Sequence, residues 1–161
     1  MATILTDQEI EMLILEPKTL PQNWRSRFVP KPKRGHRERE QDITGKLGSQ
    51  FRVILRESIA NPLGFSVILA YCPITTNQLF RLRRYNGRDH EHTNKLEKQR
   101  FYAFHIHSAT ERYQHSGLRE DAFAEPTDQF SDLDSALVCL LRDCAFESLD
   151  STQLAFFGME W

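Results

Sequence analysis

Four of the six histidines of the chain fall between His90 and His107, in the stretches HEHTN and FYAFHIH. An imidazole titrates near neutral pH, so a histidine can transfer protons or bind a metal ion under physiological conditions. Side chains two residues apart in a β-strand share one face at a spacing of about 6 to 7 Å. His105 and His107 are therefore predicted to stand side by side, and this segment is the candidate site.

The first hypothesis for this site is acid–base cleavage of RNA. One imidazole of the His105 and His107 pair would remove the proton of a ribose 2′-hydroxyl, and the other would protonate the leaving oxygen. Arg84 would hold the phosphate and stabilise the charge that builds on it. No metal is needed for this reaction. Four further side chains are expected to assist as flanking or orienting groups, namely His90, His92, Tyr85 and Glu111.

Two other interpretations of the same residues remain open. In one, His105 and His107 chelate a divalent metal such as zinc, with His90, His92, Asp89 or Glu91 completing the ligand set. In the other, the histidines only form hydrogen bonds with Thr93, Asn94 and Glu111, and these bonds fix a loop on a sheet. Apart from this metal, no cofactor is predicted, because the sequence has no phosphate-binding or dinucleotide-binding glycine pattern.

The segments around the site have the residue pattern of β-strands. Apolar residues alternate or run together over residues 51–56, 65–71, 79–85 and 101–107, with turn signals between these stretches. The order predicts an antiparallel meander of four to six strands. If strands 79–85 and 101–107 pair, Arg83 or Arg84 and Tyr85 flank the histidines.

Two helices are predicted near the ends of the chain. Thr6 and Glu9 have the spacing of a capping box at the start of a helix over residues 6–16, and Ser131 and Asp134 have the same relation at the start of a helix over 131–145. The sequence thus predicts an α+β fold in which both helices cover one face of the sheet. The candidate site would lie on the other, open face.

A chain of 161 residues is expected to form a single domain, 1–161. Residues 1–48 would supply a helix and a proline-rich, basic segment, residues 49–146 the core of sheet and helix, and residues 147–161 an apolar tail. The basic stretch 31–39 could contact nucleic-acid phosphates, although a solvated loop leading into a strand is the favoured interpretation. The acidic stretch 119–132 is interpreted as a solvated surface.

Bulk properties favour a cytoplasmic protein without a membrane partner. The formal net charge of −1 gives no overall attraction for polyanions. Acidic residues stand where a signal peptide needs a basic start, and the apolar runs are too short for a membrane span. Three widely spaced cysteines indicate reduced thiols: Cys72, Cys139 and Cys144.

The motif RYNGRDHEHTN, followed by FYAFHIHSATERYQ, carries a resemblance to known proteins. Over about residues 49–146 the chain resembles a family of small uncharacterised bacterial proteins with no assigned activity. Over residues 64–107 it resembles, more loosely, TumE-type toxins of toxin–antitoxin pairs. The matching positions are Arg84, Tyr85, Asn86, His90, His105 and His107.

The second resemblance implies a toxin or defence function, with RNA or a cognate protein as partner. The alternative function is a non-enzymatic interaction or regulatory module, either antitoxin-like or phage-related.

Overall fold

A computed structural model describes residues 4–24, 28 and 30–147, and it confirms the α+β fold. The described helices are α1 (Asp7–Leu15), α2 (Glu111–His115) and α3 (Leu133–Asp143). The strands are β1 (Lys18–Thr19), β2 (Lys31–Lys33), β3 (His36–Thr44), β4 (Gln50–Ser58), β5 (Phe65–Tyr71), β6 (Phe80–Asn86), β7 (His92–Asn94), β8 (Gln99–Phe101), β9 (His105–Ser108), β10 (Ala124–Pro126) and β11 (Phe146–Glu147). Of the predicted tail, residues 148–161 lie outside the described part of the chain.

Seven strands form one antiparallel sheet in the order β10-β9-β6-β5-β4-β3-β2. Strands β4, β5 and β6 are consecutive neighbours, as the predicted meander requires. Strand β3 was not predicted, and the sheet is one strand larger than the predicted upper limit. Strand β9 pairs with β6, so the two stretches that were expected to bring arginine and histidine together are neighbours. The short strands β7 and β8 form a separate hairpin.

The strand predicted over residues 101–107 is interrupted. Residues 99–101 pair with the β7 strand, and the chain joins the main sheet only at His105. Tyr102, in the interruption, is 60% exposed, whereas Ile106 of β9 packs against the core. The division into two short strands is what places a hairpin beside the histidine strand.

Helices α1 and α3 contribute to one apolar cluster on one face of the sheet. Thr6 and Glu9 form the expected capping box of α1. The capping box of α3 is shifted by one residue from the prediction, since Asp132 and Ser135 form it rather than Ser131 and Asp134. Asp and Ser are comparable N-cap residues, so the sequence did not distinguish these two registers.

A β-bulge in β6 decides which side chains face the helices. The pairing of β6 with β5 shifts register at Leu82, so the alternation of faces changes there. Leu82 and Tyr85 are consequently both buried in the core under α3, although they lie three residues apart. The prediction that Tyr85 flanks the histidines is therefore wrong, because the bulge turns Arg84 and Asn86 to the histidine face. Of the two arginines that were predicted as alternatives, Arg84 is the one beside the histidines.

The basic stretch 31–39 forms the hairpin of β2 and β3 at one edge of the sheet. Gly35 supplies the left-handed turn conformation, with φ of 81°. The stretch is thus a two-stranded hairpin and not the solvated loop leading into a strand that was the favoured interpretation. All three cysteines are free thiols, and none of the described helices is long and apolar enough to cross a membrane.

Asp134, in the first turn of α3, gives the fold a pH dependence. Burial, together with the nearby Asp132 and Glu57 carboxylates, raises the pKa of Asp134 to about 6. A raised pKa means that this side chain favours the folded state below about pH 4 and loses that contribution as the pH rises through about 6. We expect Asp134→Asn to raise the free energy of unfolding at pH 7.5 by roughly 1–2 kcal/mol, allowing for solvent screening.

Urea unfolding at pH 4 and pH 7.5 measures this difference. Asp128→Asn, which removes an exposed carboxylate outside the helix, is the matched control and should change little at either pH. Equal stabilities of wild type and Asp134→Asn at pH 7.5 would contradict a raised pKa of Asp134 in the folded protein.

Candidate metal centre

Three imidazoles converge on the sheet face opposite α3, and we refer to His92, His105 and His107 as the three-histidine cluster. Strand β9 carries two of them, and the hairpin β7–β8 places His92 against both. The ring centroids of His92 lie 5.2 Å from His105 and 4.8 Å from His107, and those of His105 and His107 lie 4.9 Å apart. One ligand atom from each residue lies within 4.8 Å of the others.

This spacing is close to that of a metal site. Bonds of about 2.0–2.1 Å to a tetrahedral zinc ion put its nitrogen ligands about 3.3 Å apart. A contraction of about 1.5 Å or less is therefore sufficient to gather the three nitrogens on one ion.

Two backbone carbonyls fix the tautomers of the histidines in β9. His105 Nδ1 donates to the carbonyl oxygen of Ala103 at 2.8 Å, and His107 Nδ1 donates to that of Asp121 at 2.7 Å. A carbonyl oxygen can only accept a hydrogen bond, so Nδ1 carries the proton in both rings. The lone pair of each neutral ring is then on Nε2.

Asn94 fixes the third ring in the opposite tautomer. The amide group of Asn94 is oriented by Ala124, because Nδ2 donates to the Ala124 carbonyl at 2.7 Å and Oδ1 accepts from its N–H at 2.9 Å. The same oxygen lies 2.8 Å from His92 Nε2. His92 Nε2 must therefore be the donor, which leaves the lone pair of this ring on Nδ1.

Burial keeps the two β9 histidines uncharged. His105 is fully buried and His107 is 3% exposed. Loss of solvation lowers the pKa of His105 to about 4, and the same loss together with the charge of Arg84 lowers the pKa of His107 to about 2. Burial therefore opposes protonation of either imidazole at neutral pH, which the predicted acid–base pair requires of one of them.

His105 Nε2 is a buried acceptor without a hydrogen-bond partner among the described residues. Buried polar atoms are satisfied in nearly all proteins, and an unsatisfied one costs about 1–3 kcal/mol. Donation of its lone pair to a cation would satisfy this atom.

The remaining predicted site residues divide between the cluster and the rest of the protein. Arg84 is the cross-strand partner of His107, and the exposed His90 packs its ring edge-on against His105 at 5.8 Å. Tyr85 lies on the other face of the sheet, where its hydroxyl donates to Asp143 at 2.6 Å. Glu111 contacts Asp7 and His115, so the expectation that it orients an imidazole of the cluster is wrong.

The sequence interpretation missed the role of Asp121. This residue belongs to the acidic stretch that was taken for a solvated surface, yet it is fully buried. Its carbonyl orients His107, and its carboxylate accepts hydrogen bonds from Arg84 Nε and Arg119 Nε, each at 3.0 Å. Nothing in the spacing of the acidic residues distinguishes Asp121 from its neighbours. The hydrogen bond between Asn94 and a histidine was expected in the structural interpretation and is present.

A cavity of about 280 Å³ opens beside the cluster. Its lining includes two of the three clustered imidazoles, His92 and His107, and the edge of His90. The other lining residues are Arg84, Asn86, Thr93, Lys95, Leu118, Arg119 and Ala122. A small polar molecule in this cavity would therefore lie next to the histidine nitrogens.

Comparisons with protein-family models, with curated proteins and with solved structures found no match to this chain. The interpretation of the site therefore depends on its geometry and chemistry.

Asn94 should be important for stability even without a bound ligand. Replacement by alanine removes its three hydrogen bonds and leaves both main-chain polar groups of Ala124 unpaired in a buried position. We expect Asn94→Ala to lower the free energy of unfolding by about 2–4 kcal/mol. Asn77→Ala, at an exposed position, is the control and should stay within about 0.5 kcal/mol of wild type.

Urea unfolding in the presence of a chelator gives the comparison. A loss as small in Asn94→Ala as in the control would show that the hairpin is not held to the sheet by this amide.

Proposed function

We propose that the protein is a metal-dependent hydrolase in which the three-histidine cluster binds one divalent transition-metal ion. The observation that carries this proposal is the set of three hydrogen-bonded tautomers, which leaves one unprotonated nitrogen on each converging ring. The ligand atoms would be His92 Nδ1, His105 Nε2 and His107 Nε2.

The outer hydrogen bonds favour a metal over the acid–base alternative. Histidine ligands of metals characteristically donate their other ring N–H to a carbonyl or side-chain oxygen, which orients the ring and raises its basicity. All three rings of the cluster have such a partner: Ala103, Asp121 or Asn94. Acid–base catalysis would instead need one imidazole that is protonated near neutral pH, and burial opposes this for His105 and His107.

Three protein ligands leave a coordination position open, which is typical of catalytic rather than structural zinc sites. A zinc ion held by these three histidines would supply an activated water near neutral pH and would polarise a phosphoryl or carbonyl oxygen. His90 is the group best placed to move a proton to the leaving oxygen. Its ring is exposed, lines the cavity, and has Nδ1 2.7 Å from an Asp89 carboxylate oxygen, which would orient it.

RNA is the proposed substrate. Support comes from the arginine and lysine side chains that line the cavity, because they suit a substrate that carries phosphate groups. On this proposal the protein acts as a bacterial toxin or defence nuclease.

Purified protein should bind zinc or cobalt at one ion per chain. We expect His92→Gln, His105→Gln and His107→Gln each to weaken binding by more than the roughly 10–100-fold that loss of an outer hydrogen-bond partner causes. His115→Gln is the control, because this exposed histidine pairs with Glu111 outside the cluster. Elemental analysis and titration against a chelator of known affinity measure the effect. Wild-type protein that binds no more metal than the three variants would overturn the proposal.

Incubation with single-stranded and structured RNA tests the reaction itself. Metal-loaded wild type should cleave, a chelator should stop cleavage, and His90→Gln should keep the metal while slowing cleavage by about 100-fold or more. Cleavage that persists without metal would restore the acid–base hypothesis. Intact RNA, together with a tight protein complex in size-exclusion chromatography, would favour the interaction module.

A further inference from the structure

The cavity beside the three-histidine cluster has an excess of positive charge. Three cationic side chains line it: Arg84, Lys95 and Arg119. The lining contains no carboxylate. Asp121 contacts the lining residues Arg84 and Arg119, and Asp89 contacts the lining residue His90. The cavity therefore favours an anion over a neutral or cationic molecule.

Asp121 holds two guanidinium groups together and leaves much of their donor capacity unused. It accepts from the Nε atoms of Arg84 and Arg119, each at 3.0 Å, and more weakly from Arg119 Nη2 at 3.5 Å. Among the described residues it is the one hydrogen-bond acceptor of either guanidinium. Planar guanidinium groups with free N–H donors match the oxygens of phosphate, to which they can donate two parallel hydrogen bonds.

Arg84 and Arg119 lie next to the three-histidine cluster. Arg84 is the direct cross-strand partner of His107, and such partners have Cβ atoms about 4.5–5.5 Å apart. Asp121 accepts a hydrogen bond from His107 with its carbonyl and from both arginines with its carboxylate. One residue therefore positions both His107 and the two guanidinium groups. An anionic group bound by Arg84 and Arg119 would thus lie beside the three-histidine cluster.

We propose that Arg84, Arg119 and Lys95 form a phosphate-binding subsite beside the three-histidine cluster, and that the substrates of the enzyme are phosphate esters. The inference deepens the proposed function and rests on it for the reaction, although the subsite itself needs no metal. Asp121 is a positioning residue here, since it holds the arginines and does not touch the phosphate.

Calorimetric titration of metal-free protein with inorganic phosphate tests the subsite without the metal. We expect saturable binding by wild type and a loss of affinity of about 10-fold or more in Arg119→Gln and in Lys95→Gln, because each removes a charged donor. Arg119→Lys keeps the positive charge but lacks the planar guanidinium group that donates two parallel hydrogen bonds, so it should recover part of the affinity for phosphate. Arg100→Gln is the matched control, since this exposed arginine of β8 does not line the cavity.

Methyl phosphate and dimethyl phosphate, titrated in the same way, identify the ester class. Binding of both assigns phosphodiesters, and binding of methyl phosphate alone assigns phosphomonoesters; either supports the subsite. No binding of phosphate by wild type, or equal binding by wild type, Arg119→Gln and Lys95→Gln, would overturn it.

The metal titration is an independent measurement and separates the two proposals. A protein that binds zinc through the cluster but shows no phosphate affinity keeps the metal centre and loses the subsite. A protein that binds phosphate through Arg119 and Lys95 but takes up no metal keeps the subsite and loses the proposed hydrolase.

Discussion

The site depends on three hydrogen bonds that donate a ring N–H to an oxygen inside the protein. The acceptors are the carbonyls of Ala103 and Asp121 and the side-chain oxygen of Asn94. Each bond fixes which ring nitrogen is unprotonated, and burial opposes the second proton that would occupy it. Two of these acceptors belong to the main chain, so the arrangement depends more on backbone position than on the side chains nearby. Three neutral rings of fixed tautomer are what a divalent cation requires of histidine ligands.

The fold brings these groups together through irregular features of the sheet. The bulge at Leu82 reverses the faces of the last residues of β6, so that Arg84 meets His107 and Tyr85 enters the core. The break between β8 and β9 frees a hairpin that lies over the histidine strand, and Asn94 secures this hairpin to the edge strand β10. Bulges commonly re-aim side chains next to functional sites, which is their effect here.

The fold class was predictable because it follows from hydrophobic periodicity and capping residues. The β4–β6 meander and the capping box of Thr6 and Glu9 have local sequence signals, and the structure confirms them. Strand β3 was not predicted, and the pairing of β6 with β9 was only a condition of the site hypothesis. The convergence of histidines was also anticipated, since the H-x-H pattern puts His105 and His107 on one face. What could not be predicted depends on contacts distant in sequence.

Three features of the tertiary structure explain why the predicted site differs from the observed one. A bulge has no dependable signature in alternating arginines, so Tyr85 was placed on the wrong face. The burial of His105 and His107, which opposes the protonated imidazole that acid–base catalysis needs, depends on packing that the strand pattern does not reveal. The role of Asp121 depends on its main-chain carbonyl, which has the same chemistry in every residue and leaves no trace in the sequence.

The protonation of the three rings is the most direct test of this account. A long-range proton–nitrogen NMR spectrum of metal-free protein, recorded at about pH 5.5, distinguishes both tautomers from the doubly protonated ring. We expect neutral His105 and His107 with the proton on Nδ1 at this pH, and in a second spectrum at about pH 7.5 a neutral His92 with the proton on Nε2. Doubly protonated rings for His105 and His107 at the lower pH, or the opposite tautomers, would contradict this account.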